Sequence, residues 1–307
     1  MTLIKCQINI MNDFKNKFKE YINFTEANLK EYNKHSKATE VQKVLIDAMN
    51  YSLEAGGKRI RPVLTYAFCE ACGGNMDVAA APAAAIEMIH TFSLIHDDLP
   101  AMDDDDYRRG KLSCHKAFDE ATAILAGDAL SVLPFAVIAD DNKLSDKQKI
   151  KIISQLARAV GRNGMIGGQI IDMQNEKRTD VDEANLRNMY KHKTGELISV
   201  ACIMGCICAG AEDEKIIEAA AEYGYKLGLA FQIVDDILDV TSTTEELGKP
   251  VGSDAEENKT TFVTLYGVEK AQSIAEEITN DAMLLLENFE NNSFLKELTN
   301  MLLNRRN

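Results

Sequence analysis

AAAPAAAIEMIHTFSLI, residues 79–95, is apolar on almost every side of a 3.6-residue wheel. A helix with no face for water belongs in the middle of a large bundle. The stretches 121–139, 197–211 and 227–238 read the same way. Around them, 14–31, 145–160, 212–223 and 269–290 carry apolar residues at three- and four-residue spacing and suit an outer layer. The chain has five prolines and no Trp, and its long segments are rich in Ala, Leu, Ile, Glu and Lys, all strong helix formers. No set of alternating strands stands out. The expected fold is all-α, one helical domain over residues 1–307, with loops at 73–76, 104–114, 140–145, 174–182 and 241–258. The last is rich in Thr, Ser, Gly and charge and is the lid candidate.

Lys plus Arg is 34 and Asp plus Glu is 48, a net charge of −14. Sequence-independent nucleic-acid binding draws on basic side chains that displace phosphate counterions, so nucleic acid is an unsuitable partner. An anionic substrate would need divalent cations or a concentrated basic patch to overcome this field. The seven cysteines lie in apolar surroundings; Cys69-x-x-Cys72 has no second pair at metal-ligand spacing, so reduced buried thiols and a cytoplasmic setting are expected. Residues 1–10 lack the apolar core and small-residue cleavage site of a signal peptide; with Met11 as an alternative start, they read as a disordered or non-native extension. The longest uncharged run, Leu197–Ala211, is 15 residues. A membrane span needs about 20, so none is expected.

Two acidic clusters end strongly apolar helices. One is HTFSLIHDDLPAMDDDDYRRGK, 90–111; the other is LAFQIVDDILDVT, 229–241. Buried ionised carboxylates are costly unless paired or bound to metal. Asp235 and Asp239, four apart, share a helix face, with Asp236 on the flank. Carboxylates so spaced suit Mg2+, which takes one or two of them and leaves positions for substrate phosphates. In the first cluster Asp97 and Asp98 precede Pro100, and Asp103–Asp106 follow. On a straight helix Asp97 aligns with Asp104 rather than Asp103, and Pro100 leaves the choice open. Arg108, Arg109 and Lys111 come next. A further basic group, GGKRIRP at 56–62, lacks the spacing of a phosphate-binding Walker loop. Taken together, two acid clusters and two basic groups on an acidic helical chain fit a metal-bridged diphosphate.

These motifs resemble the trans-isoprenyl diphosphate synthases, closest to the bacterial farnesyl diphosphate synthases. DDLPAMD (97–103) is similar to their first aspartate-rich motif with two inserted residues, and DDILD (235–239) to the second. GGKRIRP, HKTGELI (192–198) and FQIVDD (231–236) complete the order over roughly 40–265. The resemblance implies an isoprenoid-synthase-type bundle around a central apolar cavity, acting as a homodimer. It implies three Mg2+: two on Asp97 and Asp103 with Asp98 near, and one on Asp235 with Asp236 and Asp239 near. Gly57, Lys58, Arg61, His90 and Arg109 would bind isopentenyl diphosphate. Arg108, Lys193 and Lys249, with Lys259 nearby, would grip the allylic diphosphate. Thr194 and Gln232 would stabilise the allylic cation, and Gln169 and Asp172 would support the metal site.

The residues themselves agree in part. His90 and Asp97, seven apart, share a helix face, and Lys193-Thr194 reads as a helix start, where an anion is favoured. By resemblance, Phe92, five before Asp97 and followed by small Ser93, floors the pocket and favours a fifteen-carbon product over a twenty-carbon one. On the ideal wheel Ser93 lies closer to the Asp97 face. Three rivals fit less well. Lys193-Thr194-Gly195 with Ser113-x-x-Lys116 hints at an acylating serine enzyme, but should lie on a strand. A terpene cyclase needs no isopentenyl diphosphate site. A non-catalytic synthase subunit should have lost one acid cluster.

Overall fold

The computed structural model describes residues 2–34, 39, 42–242 and 259–303. It is 76% helical, as the all-α reading requires. Two compact units emerge: residues 1–66 with 75–153, and residues 67–74 with 154–307.

The first unit holds α1 (Thr2–Tyr32), α2 (Lys43–Leu53), α4 (Ala80–Asp97), α5 (Cys114–Ala117) and α6 (Glu120–Ala139), with the start of α3 (Ile60–Ala71) and of α7 (Asp146–Val160). α4 carries the all-round apolar stretch 79–95, and from Ala80 to Ile89 every residue is buried. It packs along α6, while Tyr21 of α1 stacks on Tyr66 of α3 with centroids 5.4 Å apart. Asp119 starts α6 by accepting a hydrogen bond from Thr122 N.

α6 departs from expectation. The hydrophobicity of 121–139 predicts a central helix, yet Ile124, Leu125 and Val132 are 43, 57 and 67% exposed. Ala121, Leu125, Asp128, Val132, Ala136 and Ala139 form an exposed stripe opposite the buried Ala123, Ala126, Leu130, Pro134 and Val137. All-round hydrophobicity says that a face avoids water; it does not say what covers it. α6 is also, among the described helices, the one long and apolar enough to cross a membrane.

A second departure lies within 104–114. Strands β1 (Tyr107–Arg108) and β2 (Lys111–Leu112) pair as a minimal antiparallel hairpin. Its two turn residues, Arg109 and Gly110, have φ of 53° and 75°. Positive φ at both central positions is the mirror-image turn that matches strand twist.

The second unit holds α8 (Met165–Asn175), α9 (Glu183–Tyr190), α10 (Glu196–Cys208), α11 (Glu214–Thr241), α12 (Phe262–Tyr266), α13 (Val268–Leu285) and α14 (Ser293–Leu303). The outer segment 212–223 and the inner 227–238 are one helix, α11, capped by Asp213 and packed on α10 and α13. Leu197–Cys208 is buried at every position, as read. Phe68, at the end of α3, lies 5.3 Å from Tyr223 and 5.1 Å from Phe289, centroid to centroid. Among the described residues Cys69, Cys72, Cys114, Cys202, Cys206 and Cys208 are free thiols.

Candidate active site

In the first unit the chain past α4 settles the Asp97–Asp103 question. Pro100 ends the helix, and the backbone turns back so that Asp103 N donates to Asp97 O at 2.9 Å. The two inserted residues are absorbed in this turn, and Asp103, not Asp104, comes to rest beside Asp97. Asp98, 2% exposed, turns inward. Arg108 donates to it through Nε at 2.8 Å and through Nη2, and Nη2 also donates to Asp105 at 2.9 Å. Burial raises the Asp98 pKa while Arg108 opposes the rise. Asp98 is thus committed to a guanidinium, and Arg108 to two carboxylates.

The predicted basic groups do assemble. Arg109 donates to Gly56 O, and a Cβ on Gly57 would lie 2.7 Å from Arg109 Cζ. Gly57, at φ +124°, suits glycine by its backbone conformation, and the Arg109 guanidinium lies against it. Burial lowers Arg61 to about 10; Glu87 opposes the drop and Arg109 adds to it. His90 is held well below the usual imidazole range by burial first, then by Arg61, Arg109, Arg59 and Arg108. Lys58 is exposed between Gly57 and Arg59. The first unit therefore holds a dense cation cluster on a chain of net charge −14.

Phe92 is 6% exposed and meets His96 edge-on, with centroids 5.7 Å apart. Ser93 is half-buried, and its hydroxyl donates to His90 O at 2.9 Å.

In the second unit one cleft gathers Asp172, Lys193, Thr194, Gln232, Asp235, Asp236 and Lys259. Its geometry corrects one reading. Lys193-Thr194 is no helix start: Lys191–Gly195 is a single π turn joining α9 to α10 in one continuous helical path. Its widened ring, not a free N-terminus, presents the side chains. Asp236, on the flank of the Asp235–Asp239 face, is 6% exposed and accepts from Tyr190 OH at 2.8 Å and Phe262 N at 3.3 Å. Asp239 is 2% exposed, whereas Asp235 is half-buried at the cleft wall. Thr194 Oγ1 donates to Gln232 Oε1 at 2.9 Å. Lys193 Nζ pairs with Asp172, and Lys259 Nζ lies 3.7 Å from Glu176. Gln169 sits half-buried on α8, outside the lining. Lys249 and 243–258 of the lid candidate lie outside the described residues.

Close backbone approaches hold these groups. A Cβ on Gly168 would overlap Lys193 N, so α8 runs against the π turn there and brings Asp172, one turn on, to Lys193. A Cβ on Gly228 would lie 2.9 Å from Gly195 Cα, and this crossing sets Gln232 beside Thr194.

Among the described residues no three Asp, Glu, His or Cys side chains converge as a ready metal cage. In the first unit Asp97 and Asp103 are half-buried and exposed oxygen donors, and in the second Asp235 is a half-buried one. Each group by itself fits Mg2+, which completes its shell with water and substrate phosphate instead of a protein cage.

The sequence pattern described as polyprenyl synthetase matches residues 42–302. The chain belongs to the polyprenyl synthetase family. A farnesyl diphosphate synthase from Micrococcus luteus is 46% identical over 267 residues, 86% of this chain and 90% of its own. A geranylgeranyl diphosphate synthase from Cyanophora paradoxa is 45% identical over 265 residues, 86% and 88% of the two lengths. The crystal structure of a geranyltransferase from Helicobacter pylori, complexed with magnesium and isoprenyl diphosphate, superposes with a TM-score of 0.81 at 34% identity over 96% of each chain. This polyprenyl synthetase is an enzyme of head-to-tail prenyl condensation, a magnesium-dependent chemistry on isoprenyl diphosphates. Sequence reasoning passed over Tyr190, Glu176 and Glu87. Glu87 had one available signal, a charged group on the otherwise apolar stretch AAAIEMI, whereas Tyr190, in the polar stretch EANLRNMYKHK, had none.

Proposed function

We propose that this polyprenyl synthetase condenses isopentenyl diphosphate with dimethylallyl or geranyl diphosphate and releases farnesyl diphosphate. The observation that carries this reading is the separate cation cluster. Lys58, Arg61 and Arg109, with His90 and the Gly57 backbone, offer a diphosphate site that needs no metal. Isopentenyl diphosphate, which keeps its diphosphate through the reaction, is the ligand such a site fits.

Asp97 and Asp103, with Asp98 behind them, and Asp235, with Asp236 and Asp239 behind it, would hold Mg2+, three ions in all. Bound there, Mg2+ would supply neutralisation of the departing diphosphate charge. Lys193, Arg108 and Lys259 would grip the allylic diphosphate, with Lys249 as a further candidate, and in doing so exchange Asp172, Asp98 and Glu176 for phosphate oxygens. Gln169 and Asp172 would support the metal-binding wall. The Thr194–Gln232 pair would turn its oxygen dipoles toward the allylic carbon as its bond to oxygen breaks. The double bond of isopentenyl diphosphate then attacks, and a proton passes to the released diphosphate. No side-chain nucleophile is needed. Buried Phe92 supports a fifteen-carbon limit, with small Ser93 beside it.

The exposed apolar stripe of α6 supports a homodimer rather than a membrane span, because Asp128 stands in its middle. The free thiols support a cytoplasmic setting, and the acidic surface weighs against a nucleic-acid partner.

Purified protein with Mg2+, geranyl diphosphate and labelled isopentenyl diphosphate tests the proposal. A labelled fifteen-carbon product that disappears with EDTA is expected. A twenty-carbon product would replace the farnesyl assignment with the geranylgeranyl one, and no incorporation would overturn the condensation itself.

A further inference from the structure

Arg59 lies in sequence between two residues of the cation cluster, and its side chain is bonded inward. Its side chain is 1% exposed, and its backbone is left-handed, φ 50°, a conformation uncommon for a residue with a Cβ. Nη1 donates to Glu87 Oε1 at 2.8 Å, Nη2 donates to Leu53 O at 2.6 Å, and Glu26 lies 3.7 Å away. Arg59 thus ties the 54–58 turn to the end of α2 and to the middle of α4. Glu87 is 2% exposed by side chain. Its carboxylate also supports the charge of Arg61 and of Arg109, against the burial that lowers both. One anion, shielded from water, is bonded to the Arg59 guanidinium and acts through its field on those of Arg61 and Arg109.

That arrangement answers a physical difficulty. Arginines crowded before a diphosphate arrives repel one another and tend to splay. A buried carboxylate behind them holds the cluster without occupying the face a ligand would use. The left-handed turn at Arg59 does the rest: with Arg59 anchored inward, Lys58 is thrown outward and Arg61 enters the first turn of α3. We propose that Glu87, acting through Arg59, is a positioning residue that sets Lys58, Arg61 and Arg109 for isopentenyl diphosphate. The inference rests on the assignment of those three residues to that substrate.

Steady-state kinetics of Glu87→Gln and Glu87→Asp, varying each substrate in turn, provide the test. Glu87→Gln should raise KM for isopentenyl diphosphate by about tenfold and leave KM for geranyl diphosphate within about twofold. Glu87→Asp should recover part of the loss. If Glu87→Gln does not fold, the pair Arg59→Met with Glu87→Leu removes both buried charges together and should show the same selective rise. A rise in both KM values alike, a fall in kcat alone, or no change overturns the proposal. Calorimetric titration with inorganic pyrophosphate in metal-free buffer separates this inference from the condensation reading. Wild type should bind and Glu87→Gln should bind about tenfold more weakly. If wild type does not condense isoprenoids but this difference holds, the condensation reading falls and Glu87 still positions an anion site. If wild type condenses and the titrations coincide, or wild type binds no pyrophosphate, the Glu87 proposal falls alone.

Discussion

Phe92 and His90 sit two residues apart on α4, and each carries a prediction of its own. Phe92 is nearly fully buried against His96, so its ring occupies volume that nothing else fills. Phe92→Ala removes that volume and should lengthen the product, read by chromatography of the dephosphorylated alcohols; an unchanged product length would remove Phe92 as the ruler. His90 bears on pH. Its folded pKa lies well below the unfolded value near 6.5, so between the two values the unfolded chain binds the extra proton. Stability contributed by neutral His90 is present above pH 6.5 and declines as pH falls below it. His90→Gln should flatten the decline in Tm on acidification relative to wild type. Parallel Tm–pH curves for the two proteins would show that His90 titrates normally.

At the scale of elements, the crossing of α8 with the π turn places Lys193. Gly168→Ala puts a methyl group where Lys193 N now sits, so the two elements must separate. Overpacking of this kind costs about 1–3 kcal/mol. Gly168→Ala should therefore lower Tm and also kcat, since Asp172 and Lys193 part. Alanine at Gly167, the neighbouring position, does not test this crossing, because a Cβ there would instead meet Arg162 O.

The same elements mark what could be read in advance. Helices 79–95 and 197–211 were legible because their hydrophobicity is a local property of the chain. The π turn was not: an extra residue in one ring leaves no trace in a 3.6-residue pattern, and Lys-Thr-Gly was mistaken for a start. The return of Asp103 to Asp97 was equally hidden, since it depends on backbone hydrogen bonds around Pro100. The identity of the acids was legible; which of them turn inward was not. Asp98 and Asp236 are held by Arg108 and Tyr190, partners 10 and 46 residues away along the chain.

For the whole molecule, α6 presents the surface on which the proposed homodimer can be tested. Its buried side packs on α4, and its other side leaves Leu125 and Val132 in water on one stripe. Their positions, seven apart, differ by about 20° around the helix, so both side chains can enter the same contact. Exposed apolar patches rimmed by polar residues mark protein interfaces, and a two-fold contact would let this stripe meet its own copy. A chain of net charge −14 resists self-association unless an apolar contact of this kind offsets the repulsion. Sedimentation equilibrium should therefore give wild type a mass of twice 34.0 kDa. Leu125→Glu with Val132→Glu, which adds charge to the stripe without touching α4, should shift it to a single chain with retained helicity. A wild-type mass of 34.0 kDa would leave α6 without a self-partner, and a dimeric double variant would move the interface to another surface.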